Sequence, residues 1–305
     1  MLYILHENDQ WLTPFRETFT KMDLPYREWH MASFLPDLSV EPPPGIFYVR
    51  MSASAHTRGH FGVPELTIGV LGWLERYGRR VVNGSAALDL ELSKVRQYQA
   101  LMTHGLSVPL TYAARSPEQL LSLARTMPCP FVTKHNRAGM GLGVERFDSF
   151  DAFEVRLDAL AETPPVDGVT LLQVYIESPE SFITRCEFIG GKFVYALRVD
   201  ASEGFELCPA DNCSVPDQHN LSETKILRFE IITDYVDPII SRYEKFLHEH
   251  QIEIAGIEFI TDHAGCKWTY DVNVNTNYNA EAELRAGVNA RVRLAQYLKK
   301  ELAQC

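Results

Sequence analysis

Three oxygen-bearing side chains toward the C-terminal end of this 305-residue chain are spaced for metal chemistry. They lie in two strand-like runs, Ile254-Ala-Gly-Ile-Glu258 and Lys267-Trp-Thr-Tyr-Asp271-Val-Asn273, on either side of Ala264-Gly265. A turn centred between those two residues pairs positions equidistant from it and sets Glu258 opposite Asp271. Alternation predicts one face with Lys267, Thr269, Asp271 and Asn273 and a core face with Trp268, Tyr270, Val272 and Val274. Directly opposed Cβ atoms stand about 4.5–5.5 Å apart, where two carboxylates repel unless a cation sits between them. With the Asn273 amide oxygen, Glu258 and Asp271 form the hard donor set that Mg²⁺ takes, waters and substrate phosphates completing its shell. The alternative is that all three are solvated on an open sheet face.

A second set of residues suits phosphate. Lys134 ends the apolar run Pro130-Phe-Val-Thr-Lys134, and Gly139, Gly141 and Gly143 follow at alternate positions. Such a loop brings backbone N–H groups to phosphate oxygens without intervening side chains. It matches neither the Walker nor the Rossmann pattern, and a plain hairpin loop competes with the phosphate reading. Lys94, just inside a helix N-terminus, is by itself most simply a solvated lysine.

The elements that must position these groups follow from periodicity. Strands are predicted at Leu2–His6, Tyr26–Trp29, Ile46–Met51 and Arg80–Asn83, and helices at Trp11–Met22 and Pro64–Tyr77, giving a βαβ-type open sheet. Helices at Ser93 and Ser116 open on capping residues. Strands at 130–134, 144–147 and 169–176 and a helix at 150–161 follow. Ser181–Ile189 and Lys192–Val199 form a hairpin about Gly190-Gly191. Residues 200–228 read as a long loop, 238–250 as a helix, and 281–303 as one terminal helix.

Composition bounds the function. Lys and Arg number 29 against 40 Asp and Glu, a net charge of −11, which argues against nucleic acid or an anionic membrane as a broad-face partner. No run of about 18 apolar residues spans a membrane, and the start lacks a basic signal region, so a cytoplasmic protein is expected. The six cysteines then read as reduced thiols. His56, His60, Cys208 and Cys213 suit zinc by type, although nothing in the sequence brings them together.

In order and spacing these pieces resemble the ATP-grasp superfamily, and within it the RimK-like carboxylate-amine (glutamate) ligase branch. The resemblance covers about residues 45–285: Tyr48-Val-Arg50, Val82-Asn83, Ser93-Lys94, Pro109-Leu-Thr111, Phe131-Val-Thr-Lys134, the glycine loop, Leu172-Gln-Val-Tyr-Ile176, Thr184-Arg185, Ala255-Gly-Ile-Glu258 and Asp271-Val-Asn273. It implies an α/β (α+β) architecture with an N-terminal Rossmann-like open-sheet domain (1–88) and two α+β subdomains gripping ATP (89–170 and 171–305). It implies Lys94, Lys134, Gly139, Gly141 and Gly143 on ATP phosphates, the strand from Gln173 through Tyr175 to Ile176 on adenine, and Glu177 or Glu180 on ribose. Glu258, Asp271 and Asn273 would hold Mg²⁺, or Mn²⁺ in its place, between ATP phosphates. The family's Glu-Val-Asn-Ser-Ser-Pro reads here Asp271-Val-Asn-Val-Asn-Thr-Asn-Tyr-Asn279, so Asn275 and Asn277 become candidates for acceptor contacts.

The reaction so implied attacks the γ-phosphoryl group of ATP with a substrate carboxylate, and an amine then displaces phosphate. Positioning and charge neutralisation supply most of such catalysis. Arg185, on the face of Glu187, and Arg198 are the candidates for the acyl phosphate, with a salt bridge to Glu187 as the alternative for Arg185. Arg50, His56 and Arg58 follow or end a strand of the open sheet, where ligands gather, and a guanidinium grips a carboxylate bidentately; loop solubility competes. The long loop with Cys208 and Cys213 is a candidate part of the acceptor site by location. Expected partners are small-molecule carboxylate and amine substrates, amino acid or peptide, and the superfamily is commonly oligomeric. An inactive ATP-binding regulator and a kinase on the same fold are the competing readings.

Overall fold

A computed structural model describes residues 1–139, 141–202 and 228–304. Cys208, Cys213 and most of the predicted 200–228 loop lie outside them. The opening strands β1 (Leu2–His6), β2 (Tyr26–His30), β3 (Ile46–Arg50) and β4 (Arg80–Val82) build a parallel sheet in the order β2-β1-β3-β4. Its crossovers include α1 (Asp9–Lys21) and α2 (Val63–Arg76). β1 and β3 are buried throughout, as strands covered on both faces must be, so their sequence carries no alternation. A short helix, α3 (Ser85–Glu91), not foreseen from periodicity, leads to α4 (Lys94–Thr103), whose Ser93 side chain accepts from Arg96 N.

The second sheet is antiparallel, in the order β5-β8-β6-β7: β5 (Thr111–Ala114), β6 (Phe131–His135), β7 (Glu145–Phe147) and β8 (Thr170–Val174). α5 (Pro117–Ala124) and α6 (Phe150–Glu162) pack on it around Phe131, Phe147 and Phe153. Because β8 pairs inside this sheet, it ends beyond residue 170.

The third sheet runs β11-β10-β9-β12-β13, all antiparallel: β9 (Phe182–Ile189), β10 (Lys192–Asp200), β11 (Phe229–Ile232), β12 (Ile254–Thr261) and β13 (Lys267–Asn273), with α7 (Ile239–Glu249) on one face. Gly190 and Gly191 turn the β9–β10 hairpin with φ of +61° and +67°, the left-handed pair that such a tight turn demands. β11 had no strand signal. The terminal helix is two, α8 (Ala280–Ala286) and α9 (Ala290–Gln304), parted by Gly287 at φ +67°. Among the described residues no helix is long and apolar enough to cross a membrane.

The first and third sheets share one core. Leu2, Ile4, Phe15, Phe19, Ile46 and Tyr48 pack with Ile183, Leu197, Ile254, Tyr278, Leu294 and Leu298 in a single cluster. Asn83 joins the same two regions through polar groups. Its buried amide donates to Ile254 O at 2.7 Å and Val274 O at 2.9 Å, and its Oδ1 accepts from Glu253 N and Ile254 N. At φ +55° asparagine is also among the few residues that tolerate the backbone there. Asn83→Ala would leave four backbone groups without that partner, and we expect chemical denaturation to show a loss of about 3 kcal/mol or more. A loss below about 1 kcal/mol would show that water replaces the amide.

Candidate active site

Glu258 and Asp271 do face one another across β12 and β13. The turn, however, is centred one half-residue earlier than predicted, since Phe259 pairs with Thr269 and Thr261 with Lys267. A bulge at Tyr270 reconciles the two registers. It also corrects the predicted faces: Thr269 is buried against Tyr243 of α7 at 2.7 Å, and Lys267 pairs with Asp237 at 2.8 Å. Tyr270 and Asp271 thus project to the same side, as the two residues of a bulge can.

The cation expected between the carboxylates is supplied in part by the chain itself. β9 lies on the other side of β12 and places Arg185 beside Glu258. Arg185 donates to Glu258 Oε1 at 2.5 Å, to Glu187 Oε1 at 2.6 Å and to Thr276 Oγ1 at 2.6 Å, and Thr276 Oγ1 in turn donates to Glu187 Oε2. Gly256 permits this arrangement, because a Cβ there would stand 2.4 Å from the guanidinium. Burial opposes the charge on Arg185, but Glu187 and Glu258 outweigh it and hold its pKa above the usual range. Tyr270 donates to Glu258 Oε2 at 2.9 Å. On the opposite strand Lys94 forms an ion pair with Asp271. Burial would raise the Asp271 pKa, yet Lys94 and Lys134 hold it below the ordinary carboxylate value.

These groups line a cavity of about 560 Å³ between the second and third sheets, within the range of nucleotide-sized ligand sites. Lys94, Lys134, Gly139, Gly141, Gln173, Tyr175, Ile176, Glu177, Arg185, Glu258, Asp271, Asn273, Asn275 and Asn277 all contribute to its wall. Lys134 is buried and donates to Tyr98 Oη at 2.7 Å and Gln173 Oε1 at 3.2 Å. By type, the two carboxylates and the Asn273 amide fit a hard divalent cation, and on the same cavity wall the Asn275 amide oxygen is buried without a hydrogen-bond partner.

Other predicted residues fall elsewhere. Arg198 pairs with Thr184, one step out of phase with Arg185, so strand alternation points it to the opposite face, where it meets Glu180 at 3.1 Å and the Phe182 ring. Neither Arg198 nor Glu180 lines the cavity, nor does Gly143, which abuts His135. Arg50 is buried over the Phe15 ring and donates to Tyr48 Oη, Thr276 O and Asn277 Oδ1. Arg58 grips Glu7 through Nε and Nη2, and His56 Nδ1 sits 3.2 Å from Ala53 O. Of the Arg50–His60 stretch, Ser52 and Ser54 reach the cavity wall.

Glu91 was missed, since nothing in the pattern of α3 marks it. It lines the cavity beside Lys94 and accepts from Ala53 N at 3.2 Å and Val274 N at 2.9 Å. Burial pushes its carboxyl up to about 6. A raised carboxyl pKa favours the folded state below the unfolded value of about 4.5 and loses that contribution as pH climbs through about 6. Between pH 4.5 and 7.5 wild type should therefore lose about 2 kcal/mol relative to Glu91→Gln, read from paired denaturation curves; a pH-independent difference would show that Glu91 ionises normally.

No protein-family model matches the chain. Among curated proteins, it is 29% identical over 136 residues to a probable alpha-L-glutamate ligase of Aeromonas salmonicida (strain A449), covering 44% of this chain and 45% of that protein. It is 30% identical over 136 residues to a probable alpha-L-glutamate ligase of Hydrogenovibrio crunogenus (strain DSM 25203 / XCL-2), covering 44% of each. The matched segment thus spans less than half the length of these curated relatives. Among solved structures, the ATP-grasp ligase PsnB, complexed with a phosphomimetic variant of its minimal precursor, Mg and ADP, aligns over 99% of this chain and 98% of its own at a TM-score of 0.69 and 15% identity. The RimK domain protein ATP-grasp from Sphaerobacter thermophilus DSM 20745 aligns over 97% and 98% at 0.67 and 15% identity. The chain therefore has the ATP-grasp fold, and part of its sequence is related to proteins named as alpha-L-glutamate ligases.

Proposed function

We propose that the protein is an ATP-dependent carboxylate–amine ligase that forms an amide or peptide bond through an acyl phosphate, with an amino acid or peptide as substrate. The convergence of Lys94, Lys134, Arg185, Glu258 and Asp271 on one cavity beside a glycine loop carries this reading. Lys94 and Lys134 supply positive charge where ATP phosphates would lie, and the backbone at Gly139 and Gly141 can approach the same oxygens. The segment Gln173–Glu177 forms the wall suited to adenine and ribose. A divalent cation bound by Glu258, Asp271 and Asn273 would neutralise phosphate charge as the γ-phosphoryl group transfers.

Arg185 has the position for the acyl phosphate: it is buried, permanently charged and held by Glu187 and Thr276, so little reorganisation is needed when negative charge develops nearby. Lys94 must exchange part of its pairing with Asp271 for phosphate, which couples nucleotide entry to release of an Asp271 oxygen. Asn275 and Asn277 both line the cavity and suit the amine acceptor. Arg50 and Arg58 are consumed by Asn277 and Glu7 and support the pocket rather than grip the acid.

Incubation with Mg-ATP and pools of amino acids and short peptides, followed by phosphate assay and mass spectrometry, tests the reading. An amide product with ADP and phosphate is expected. A phosphorylated product would indicate a kinase, and ATP binding without turnover a regulator. Asp271→Asn should lower kcat by about 10²-fold or more with the fold intact; near-normal kcat at ordinary Mg²⁺ would remove the metal assignment.

A further inference from the structure

A cluster that this reaction does not use sits at the C-terminal ends of β1 and β2. His6 and His30 close those parallel strands in direct register, with ring centroids 5.0 Å apart. Asp9 opens α1 just beyond His6. One ligating atom from each of His6, Asp9 and His30 lies within 4.8 Å of the other two, and Asp9 Oδ2 stands 3.8 Å from His30 Nε2. His6 is 1% exposed, yet neither ring nitrogen makes a hydrogen bond, although Nε2 lies 3.3 Å from Glu28 Oε2. Two unpaired nitrogens on a buried imidazole are costly unless something other than the polypeptide takes one of them.

Charge points the same way. Arg16 is the shared cation of Asp9 and Glu28, donating to both. With neutral imidazoles, two carboxylates face one guanidinium, and the cluster keeps one negative charge. Glu7 is matched separately by Arg58 and by His60, whose ring meets His30 edge-on at 5.8 Å. Two imidazoles and a carboxylate select borderline metals over Mg²⁺ or Ca²⁺.

We propose that His6, Asp9 and His30 bind a divalent transition-metal cation of the Zn²⁺ or Co²⁺ class, with Glu28 beside His6. Zinc holds nitrogen and oxygen ligands at about 2.0–2.2 Å, so the triangle must contract, which the largely exposed Asp9 side chain permits by rotation. This site is distinct in chemistry from the all-oxygen set at Glu258 and Asp271 and does not depend on the ligase reading.

The full chain, stripped with chelator and dialysed, is titrated with Co²⁺ followed by visible absorption and with Zn²⁺ by calorimetry. Wild type and Asp271→Asn should each bind one equivalent at this site, and His30→Ala and Asp9→Ala should bind roughly tenfold more weakly or worse. Zn²⁺ should raise Tm in the first pair and not in the second. Asp9 is exposed and His30 only partly buried, so both variants retain the fold and His6. Absence of binding to wild type, undiminished affinity in His30→Ala and Asp9→Ala, or loss of binding in Asp271→Asn would overturn the proposal.

Discussion

Two carboxylates held face to face across a β-hairpin are the constraint around which the cavity is organised. Alone, Glu258 and Asp271 would repel strongly enough to disfavour the strand pairing that brings them together. The fold answers with one cation on each flank: Arg185 from the neighbouring strand β9 and Lys94 from the N-terminus of α4. Strand order in the third sheet, the cap at Ser93 and the glycine at 256 all serve that pairing. The result is a buried polar array in which each carboxylate has a cation beside it.

Arg185 is the most constrained member. Its three hydrogen-bonding partners come from β9, β12 and the segment after β13, so its placement needs the whole sheet to be assembled. Glu187 is buried and its carboxyl is pushed up by that burial despite Arg185. A charged side chain so firmly held loses little freedom on ligand binding, which is the physical meaning of preorganisation at such a site.

Much of this was legible in the sequence. Turn glycines and period-2 alternation located both hairpins, and the predicted turn set Glu258 opposite Asp271, a pairing that the structure reaches through the Tyr270 bulge rather than through the turn position expected. The Tyr270 bulge was not legible, because no glycine or proline marks it, and it reversed the faces of Lys267 through Tyr270. Alternation put Arg185 and Glu187 together, but their contact with Glu258 depends on β9 lying beside β12, a non-local pairing that no local pattern encodes. Arg50 was chosen because it ends a strand of the open sheet, and the sequence did not show its partners Tyr48, Thr276 and Asn277, two of which are more than 200 residues away. Glu91 lies in a helix too short to have a distinguishable face.

The stitching of the first sheet to the third has a mechanical consequence. Asn83 and the common apolar core bind the N-terminal sheet and the carboxylate hairpin into one body, whereas the second sheet wraps its own aromatic core around Phe131, Phe147 and Phe153. Lys134 nevertheless reaches across through Tyr98, which donates in turn to Tyr270 O, so any widening of the cavity between these two bodies would have to stretch that relay.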